Sequence, residues 1–160
     1  MDWLKLVIRK LRRFRELDGN SRWLLLESFF WLSLVSLSLK YYGVKSTQAS
    51  LVRLLPSAKL PVEKKDRHTK IVTTIKMVQL SAKYCQPWAK CLQKSLVLWS
   101  LLRRQSIDSD LRIGVQLDKG EFEAHAWVEC EGYVLNDTQD VRDRFAVFDR
   151  PIDLNLFSES

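Results

Sequence analysis

The chain has 160 residues, of which 46% are hydrophobic and 28% charged, and this composition excludes a disordered or collagen-like protein. The length is that of one domain, with or without a helical extension. Three cysteines are too few, and odd in number, for the disulfide framework of a small secreted protein, so a reducing, cytoplasmic setting is expected.

The net charge of +7 is divided unevenly between the two parts of the chain. Residues 1–105 carry 21 Lys or Arg against 6 Asp or Glu, whereas residues 106–160 carry 5 against 13. No nucleic-acid-binding motif accompanies the basic part, and nucleic acid is not an expected partner. A solvated face or a docking surface for an acidic peptide or protein is favoured instead.

Residues 2–17 are predicted to form a basic amphipathic helix that ends at Asp18-Gly19-Asn20. Its apolar residues lie near helical spacing, with Lys and Arg among them: Leu4, Ile8, Leu11, Phe14, Arg9, Lys10, Arg12, Arg13 and Arg15. Such a helix lies on an anionic membrane, packs against a partner or packs on its own domain, and all three remain open. No compact apolar segment with a small-residue cleavage site is present, so a secretory signal peptide is not expected.

Residues 23–39 are the most apolar stretch, because 12 of these 17 residues are Trp, Leu, Phe or Val. A membrane span needs about 20 predominantly apolar residues, and Glu27 would be costly inside one. The stretch therefore predicts a buried or partner-covered helix, with peripheral membrane contact left open. Residues 1–55 are predicted as an N-terminal helical region that docks a partner or caps the core, and residues 56–68, with two prolines, as a linker.

Residues 69–160 are predicted to form the core domain. Helical periodicity covers residues 69–84 and about 90–104, with a break at Gln86-Pro87. After Ser106 the pattern changes to alternation, which predicts strands over 110–117, 122–129 and 133–137 and a fourth around 144–149. Helices followed by an antiparallel sheet indicate an α+β protein.

The turn between the second and third predicted strands decides which side chains face each other. Cys130-Glu131-Gly132 fits a three-residue loop with a left-handed glycine, which places His125 opposite Asp137. A two-residue Glu131-Gly132 turn would instead place Asp137 opposite Ala126, on the other face. We predict the three-residue register. A paired imidazole and carboxylate are the base and orienting acid of a catalytic triad, although such pairs also occur on plain surfaces.

Cys91 is the candidate nucleophile. It lies in the first turn of the helix predicted to begin near Lys90, where backbone N–H groups, the helix dipole and two lysines favour a thiolate. Cys85 lies at the end of the preceding helix, and Cys130 lies in the predicted hairpin turn. A lone cysteine on an apolar helix is more often a small core residue than a nucleophile, so the interpretation depends on the His–Asp pair.

Several short motifs follow one another in the second half of the chain. They are Cys91-Leu92-Gln93-Lys94-Ser95-Leu96, Leu101-Leu102-Arg103-Arg104, Ile113-Gly114-Val115, His125-Ala126-Trp127-Val128-Glu129 and the Asn-Asp pair ending at Asp137. In this order they resemble the transglutaminase-like leader peptidases of lasso-peptide biosynthesis. The resemblance is clear over about residues 69–140 and looser from Trp23 onwards.

The resemblance implies a papain/transglutaminase-like core in which Cys91 is the nucleophile, His125 the general base and acid, and Asp137 the orienting carboxylate. It implies a cysteine peptidase that removes the leader from a ribosomally made lasso precursor. A cyclase of the asparagine-synthetase type then closes the ring. The chain looks like the split type, whose leader is bound by a separate small protein. The expected partners are therefore the precursor peptide, a leader-recognition protein and the cyclase.

Two more residues are candidates for the site. The Cys91 N–H is a candidate oxyanion donor and so, by analogy with papain-like enzymes, is the Gln86 side chain. Trp88, beside the nucleophile, is a candidate wall of the substrate cleft, because aromatic residues are enriched in pockets. No metal or cofactor is expected, because no metal-ligand spacing of Cys or His occurs. Two other functions stay open: a transglutaminase-type acyltransferase with an amine acceptor, and a non-catalytic docking or membrane-associated protein with a structural Cys91.

Overall fold

The computed structural model describes residues 12, 15–58, 62–85, 89–118 and 121–148, in which helices precede an antiparallel sheet. The elements in chain order are α1 (Gly19–Leu54), α2 (Lys64–Tyr84), α3 (Cys91–Arg104), β1 (Asp110–Asp118), β2 (Glu121–Cys130), β3 (Tyr133–Val134), α4 (Val141–Arg144) and β4 (Ala146–Val147). This order confirms the predicted α+β class. The helix predicted over residues 2–17 lies mostly outside the described residues.

Helix α1 is longer than the predicted helix over residues 23–39. The predicted break at Asp18 is its N-cap, where the Asp18 carboxylate accepts hydrogen bonds from the backbone N–H and the hydroxyl of Ser21 at 3.2 and 2.6 Å. The helix kinks at Gly43, whose φ of +74° is a left-handed conformation that suits glycine. The Thr47 hydroxyl donates to the Gly43 carbonyl at 2.7 Å, in the first turn beyond the kink.

One side of α1 is buried and the other is apolar yet exposed. The buried side packs against α2 and α3 and includes Leu24, Leu25, Ser28, Trp31, Leu32 and Val35. The exposed face of α1 consists of Trp23, Leu26, Phe30, Leu34, Leu37, Tyr41 and Tyr42. One side of the helix is therefore buried as predicted, and cover of the other side by a partner stays a prediction. Within the described chain, α1 alone is long and apolar enough to cross a membrane by length and composition.

The predicted linker is shorter in the structure. Helix α2 begins at Lys64 rather than residue 69, so His68 lies on the exposed surface of a helix, while residues 59–61 lie outside the described residues. The described buried apolar residues form two clusters. The larger one runs from Leu24 of α1 through α2 and α3 to Val128 of β2, and the smaller one consists of Trp127, Val134, Val141 and Phe145. The division of the chain into an N-terminal region, a linker and a core stays a prediction.

The sheet has the strand order β3-β2-β1-β4 and is antiparallel throughout. β1 pairs with β2 along the whole length of β1, from Asp110↔Glu129 to Asp118↔Glu121. β4 pairs with β1 at Gly114↔Val147. It is shorter than the strand predicted over 144–149, because residues 141–144 form the helical turn α4.

The β2–β3 hairpin does not have the predicted three-residue loop. Glu131 and Gly132 both have left-handed φ values, +51° and +84°, and form a two-residue turn. Glu129 consequently pairs with Val134 and Cys130 with Tyr133. The predicted register was wrong because Glu131, a non-glycine residue, takes the left-handed conformation that a type I′ turn requires.

Candidate active site

His125 and Asp137 form a hydrogen-bonded pair. His125 lies in the middle of β2, and its Nε2 atom bonds to Oδ2 of Asp137, which lies beyond the end of β3. Both side chains are largely buried, at 22% and 19% exposed. The predicted contact therefore exists, although the predicted register does not.

The contact survives the change of register because the chain leaves the sheet before Asp137. Leu135 N–H still donates to the Val128 carbonyl at 2.9 Å. Val128 N–H, however, donates to the side-chain Oδ1 of Asn136 at 2.8 Å, so a side chain supplies the next acceptor along the ladder. Released from the strand alternation, Asp137 turns towards His125 instead of lying on the Ala126 face.

The remaining contacts of Asp137 hold its carboxylate in place and ionised. Its Oδ1 accepts hydrogen bonds from Thr138 N–H at 2.7 Å and from Arg144 Nη2 at 3.1 Å. Burial raises the pKa of Asp137, but hydrogen bonds from His125 and Thr138 outweigh burial and hold this pKa below its ordinary value. The sequence analysis missed Arg144, which reaches Asp137 only because the helical turn α4 brings it back.

The His125 ring lies against two aromatic side chains. Its centroid is 5.0 Å from that of Phe145 and 6.1 Å from that of Trp127, with the Trp127 ring stacked. Trp127 is fully buried, and its indole N–H donates to Glu129 at 2.8 Å. A Cβ at Gly114 would lie 2.9 Å from a ring carbon of Trp127, so the close packing requires glycine there.

Glu129 holds the Trp127 ring in place by accepting the hydrogen bond from its indole N–H. Its carboxylate is 2.7 Å from Arg142 Nε and 3.4 Å from Arg112 Nε, and the residue is 8% exposed. Burial raises the pKa of Glu129, but hydrogen bonds from Arg142 and Trp127 outweigh it and lower the pKa overall. The buried negative charge of Glu129 is therefore compensated by two arginines, Arg112 and Arg142.

Cys91 is the first residue of α3 and is half-buried. The Lys90 side chain makes no capping hydrogen bond, so no N-cap side chain occupies the first-turn N–H groups. Ser95, one turn later on the same helix face, donates to the Ala126 carbonyl at 2.8 Å, which seats this part of α3 beside His125. No hydrogen bond joins Cys91 to His125 among the described contacts, and the complete triad stays a prediction.

The other two cysteines occupy different environments. Burial raises the pKa of the Cys85 thiol, which follows the end of α2. Cys130 is the last residue of β2 rather than part of the turn, is buried, and donates to the Asp108 carbonyl at 3.2 Å. All three cysteines are free.

Gln86 and Trp88 lie outside the described residues, so their predicted roles as oxyanion donor and cleft wall stay predictions. The sequence analysis gave Asn136 no role of its own. The signal for it is the residue type: an Asn just beyond a short strand is suited to satisfy a backbone N–H that the departing chain leaves unpaired.

An open depression of about 570 Å³ adjoins the His125–Asp137 pair. Its lining includes Arg144 and Phe145, which contact Asp137 and His125 respectively, and Val115 of β1.

Comparison with known proteins identifies the family of the chain. The model of the transglutaminase-like superfamily matches residues 31–149. The Microcin J25-processing protein McjB of Escherichia coli is 40% identical over 57 residues, which are 36% of this chain and 26% of McjB. No solved structure matches the chain. The family match covers most of the chain, including α2, α3 and the whole sheet, and the protein thus belongs to the transglutaminase-like superfamily.

Proposed function

We propose that this protein is a cysteine peptidase that removes the leader from a ribosomally made lasso-peptide precursor. The observation that carries the proposal is the His125–Asp137 pair on a sheet against which the N-terminal part of the Cys91 helix packs. Membership of the transglutaminase-like superfamily and the partial similarity to a protein named for microcin J25 processing support it.

In the proposed reaction Cys91 attacks the carbonyl carbon at the leader–core junction. Asp137 engages Nε2 of His125, which leaves Nδ1 as the ring nitrogen available to take the thiol proton. The thiolate adds to the carbonyl, and Cys91 N–H and Gln86 are the candidate donors to the resulting oxyanion.

His125 then works as acid and afterwards as base. Its Nδ1 proton passes to the departing amine, the C–N bond breaks, and the leader stays on Cys91 as a thioester while the core peptide leaves with a free N-terminus. Water, deprotonated by His125, attacks the thioester and releases the leader as a carboxylate together with the Cys91 thiol. Asp137 stabilises the imidazolium form in both steps.

The exposed face of α1 is the proposed docking surface for the leader-recognition protein. No charged side chain is exposed between Arg22 and Lys40, and the face contains Trp23, Phe30 and Tyr41. Aromatic residues and a scarcity of charge are typical of the centre of a protein interface. We further propose that the amine released by cleavage is the substrate of the cyclase, in a cytoplasmic setting suited to three free cysteines.

The experiment is mass spectrometry of a candidate precursor after incubation with this protein and the leader-recognition protein. We expect one cut between leader and core with wild type and with Cys85→Ala, a matched change of a half-buried cysteine, and no cut with Cys91→Ala. In parallel, iodoacetamide is expected to modify Cys91 faster than Cys85 or Cys130, because those thiols are respectively disfavoured as thiolates and buried.

Other outcomes contradict the peptidase. A product heavier than the precursor indicates acyl transfer to an amine, because transfer joins two molecules whereas hydrolysis separates them. An uncut precursor that is demonstrably bound to the recognition protein, together with equal alkylation of all three cysteines, favours a docking protein with a structural Cys91.

A further inference from the structure

A second chain of hydrogen bonds connects the segments that carry the proposed triad, and it involves none of the triad side chains. The Ser95 hydroxyl donates to the Ala126 carbonyl at 2.8 Å and accepts from Asn136 Nδ2 at 2.9 Å. The Asn136 amide oxygen in turn accepts from Val128 N–H at 2.8 Å. Ser95 is fully buried, so these bonds replace water contacts that the hydroxyl cannot make.

Each member of this chain is adjacent to one member of the proposed triad. Ser95 lies one helical turn after Cys91, Ala126 follows His125 in β2, and Asn136 precedes Asp137. The three segments come from a helix, a strand and an irregular stretch. The pairing of β1 with β2 orients the strand but neither the helix nor the stretch after β3.

We infer that Ser95 and Asn136 are positioning residues that hold the segments carrying Cys91, His125 and Asp137 in their mutual register. Asn136 is placed for this role because its amide has both a donor and an acceptor. The Asn136 amide oxygen accepts the last hydrogen bond between β2 and the segment after β3, and the chain then turns to bring Asp137 to His125. The Asn136 amide nitrogen donates to Ser95 and so connects that turn to α3. This inference rests on the proposed peptidase function for its kinetic readout only.

Two other polar residues offer matched controls. Ser100 is a second buried serine of α3, and its hydroxyl donates to the Val97 carbonyl of the same helix at 3.0 Å. Gln139 is a second amide beside the hairpin, and it bonds to the N–H and carbonyl of Val134 at 3.1 and 2.9 Å. Neither control residue contacts Ser95 or Asn136 through these bonds.

The test compares Ser95→Ala and Asn136→Ala with Ser100→Ala and Gln139→Ala in precursor cleavage. We expect kcat to fall by about 10- to 100-fold in the first pair with KM changed less than about twofold, because small displacements of reacting groups reduce rate more than binding. The controls stay within about twofold of wild type. The double variant Ser95→Ala/Asn136→Ala is no slower than the slower single variant, since both lie in one chain of bonds.

A second readout needs no substrate. We expect the proton that His125 shares with Asp137 to give a downfield proton NMR signal, because it lies in a hydrogen bond between two largely buried side chains, whereas His68, the other histidine, is exposed. We expect this signal to broaden or vanish in Ser95→Ala and Asn136→Ala and to persist in both controls. Ser95→Ala removes a single oxygen atom, so it provides a folded variant if Asn136→Ala does not fold.

The results separate the inference from the proposed function. An uncut precursor with wild type contradicts the peptidase, and the NMR signal then decides the role of Ser95 and Asn136. A signal that is absent from wild type, or that is retained in Ser95→Ala and Asn136→Ala, overturns the inference. So does a loss of kcat that is equal in Ser95→Ala and Ser100→Ala.

Discussion

At the scale of single residues, Asp137 orients the His125 ring through the directions of its hydrogen bonds. One oxygen faces His125, and the other is held by Thr138 N–H and Arg144. Because an ionised carboxylate accepts, this division favours the imidazole tautomer that carries its proton on Nε2, and it leaves Nδ1 without a carboxylate partner. Paired with Arg144, the carboxylate is oriented from two sides.

The role of Asp137 predicts the effect of Asp137→Asn. The amide has nearly the same shape but loses the charge that stabilises the imidazolium, and we expect kcat to fall by about 10²- to 10⁴-fold. Steady-state cleavage measures the loss, and Asp143→Asn, which removes a carboxylate from α4 without touching His125, is the control. Equal activity of both variants would contradict the orienting role.

Glu129 predicts a pH dependence of stability. Its pKa in the folded protein lies below the ordinary value of 4.5, so the ionised form stabilises the fold above that pH, and the contribution is lost as pH falls through the folded pKa. We expect Glu129→Gln to lower the free energy of unfolding by about 1–3 kcal/mol at pH 7. The difference from wild type shrinks below pH 4. Urea unfolding at pH 7 and pH 3 checks both statements, and an unchanging difference would contradict them.

At the scale of elements, β1 positions the site through a residue that has no side chain. Gly114 of β1 lies opposite His125 of β2, and β4 pairs with Gly114 on the other edge of β1. Because Gly114 has no Cβ, the side chains of Trp127 and Phe145 can pack directly against this point of β1, next to the imidazole of His125. The aromatic layer under His125 therefore depends on the contact of three strands at one glycine.

Gly114→Ala tests this close approach. An added methyl group would lie 2.9 Å from the Trp127 ring and 3.0 Å from the Ala146 carbonyl, so we expect a loss of about 1–3 kcal/mol of stability. Cleavage slows as well, because His125 rests on the displaced rings. Gly19→Ala has nothing within 4 Å and is the matched control, with a change near zero. Thermal unfolding of both variants gives the comparison.

At the scale of the whole molecule, one apolar core joins α1 to the sheet. The cluster includes Leu32 and Val35 of α1, Leu96 and Leu101 of α3, and Val128 of β2. An ion pair between Glu27 and Arg104 adds a polar link between α1 and α3 and compensates the only carboxylate among residues 23–39. The helical region thus supports the sheet that carries His125.

This continuity predicts that the two sides of α1 respond differently to substitution. Leu32→Ala empties a fully buried position, and we expect it to cost about 2–5 kcal/mol and to speed amide exchange at Val128 in the distant sheet. Leu37→Ala on the exposed face changes stability by less than about 0.5 kcal/mol. Urea unfolding and hydrogen exchange measure both effects. We expect amide exchange in the sheet to be slower in Leu37→Ala than in Leu32→Ala. The opposite order would contradict a core shared by α1 and the sheet.

Local patterns in the sequence were sufficient for the element types and for most of the helix and strand positions. The Cys91 helix begins within one residue of its predicted start, because the change from a proline break to helical periodicity is encoded locally. Periodicity could not predict that α1 continues through Gly43 or that α2 begins at Lys64. Those ends depend on packing between helices, which overrides weak propensities.

The sequence by itself determined the α+β class, the position of Cys91 at a helix N-terminus and the choice of His125 and Asp137 as partners. Only the tertiary structure decided how that pair forms. The two-residue turn sets a register that separates them, and Asn136 then ends the ladder and redirects the chain. The physical reason is that alternation along a strand is a local property, whereas the point at which a strand ends depends on hydrogen bonds to residues distant in sequence, here Val128 and Ser95.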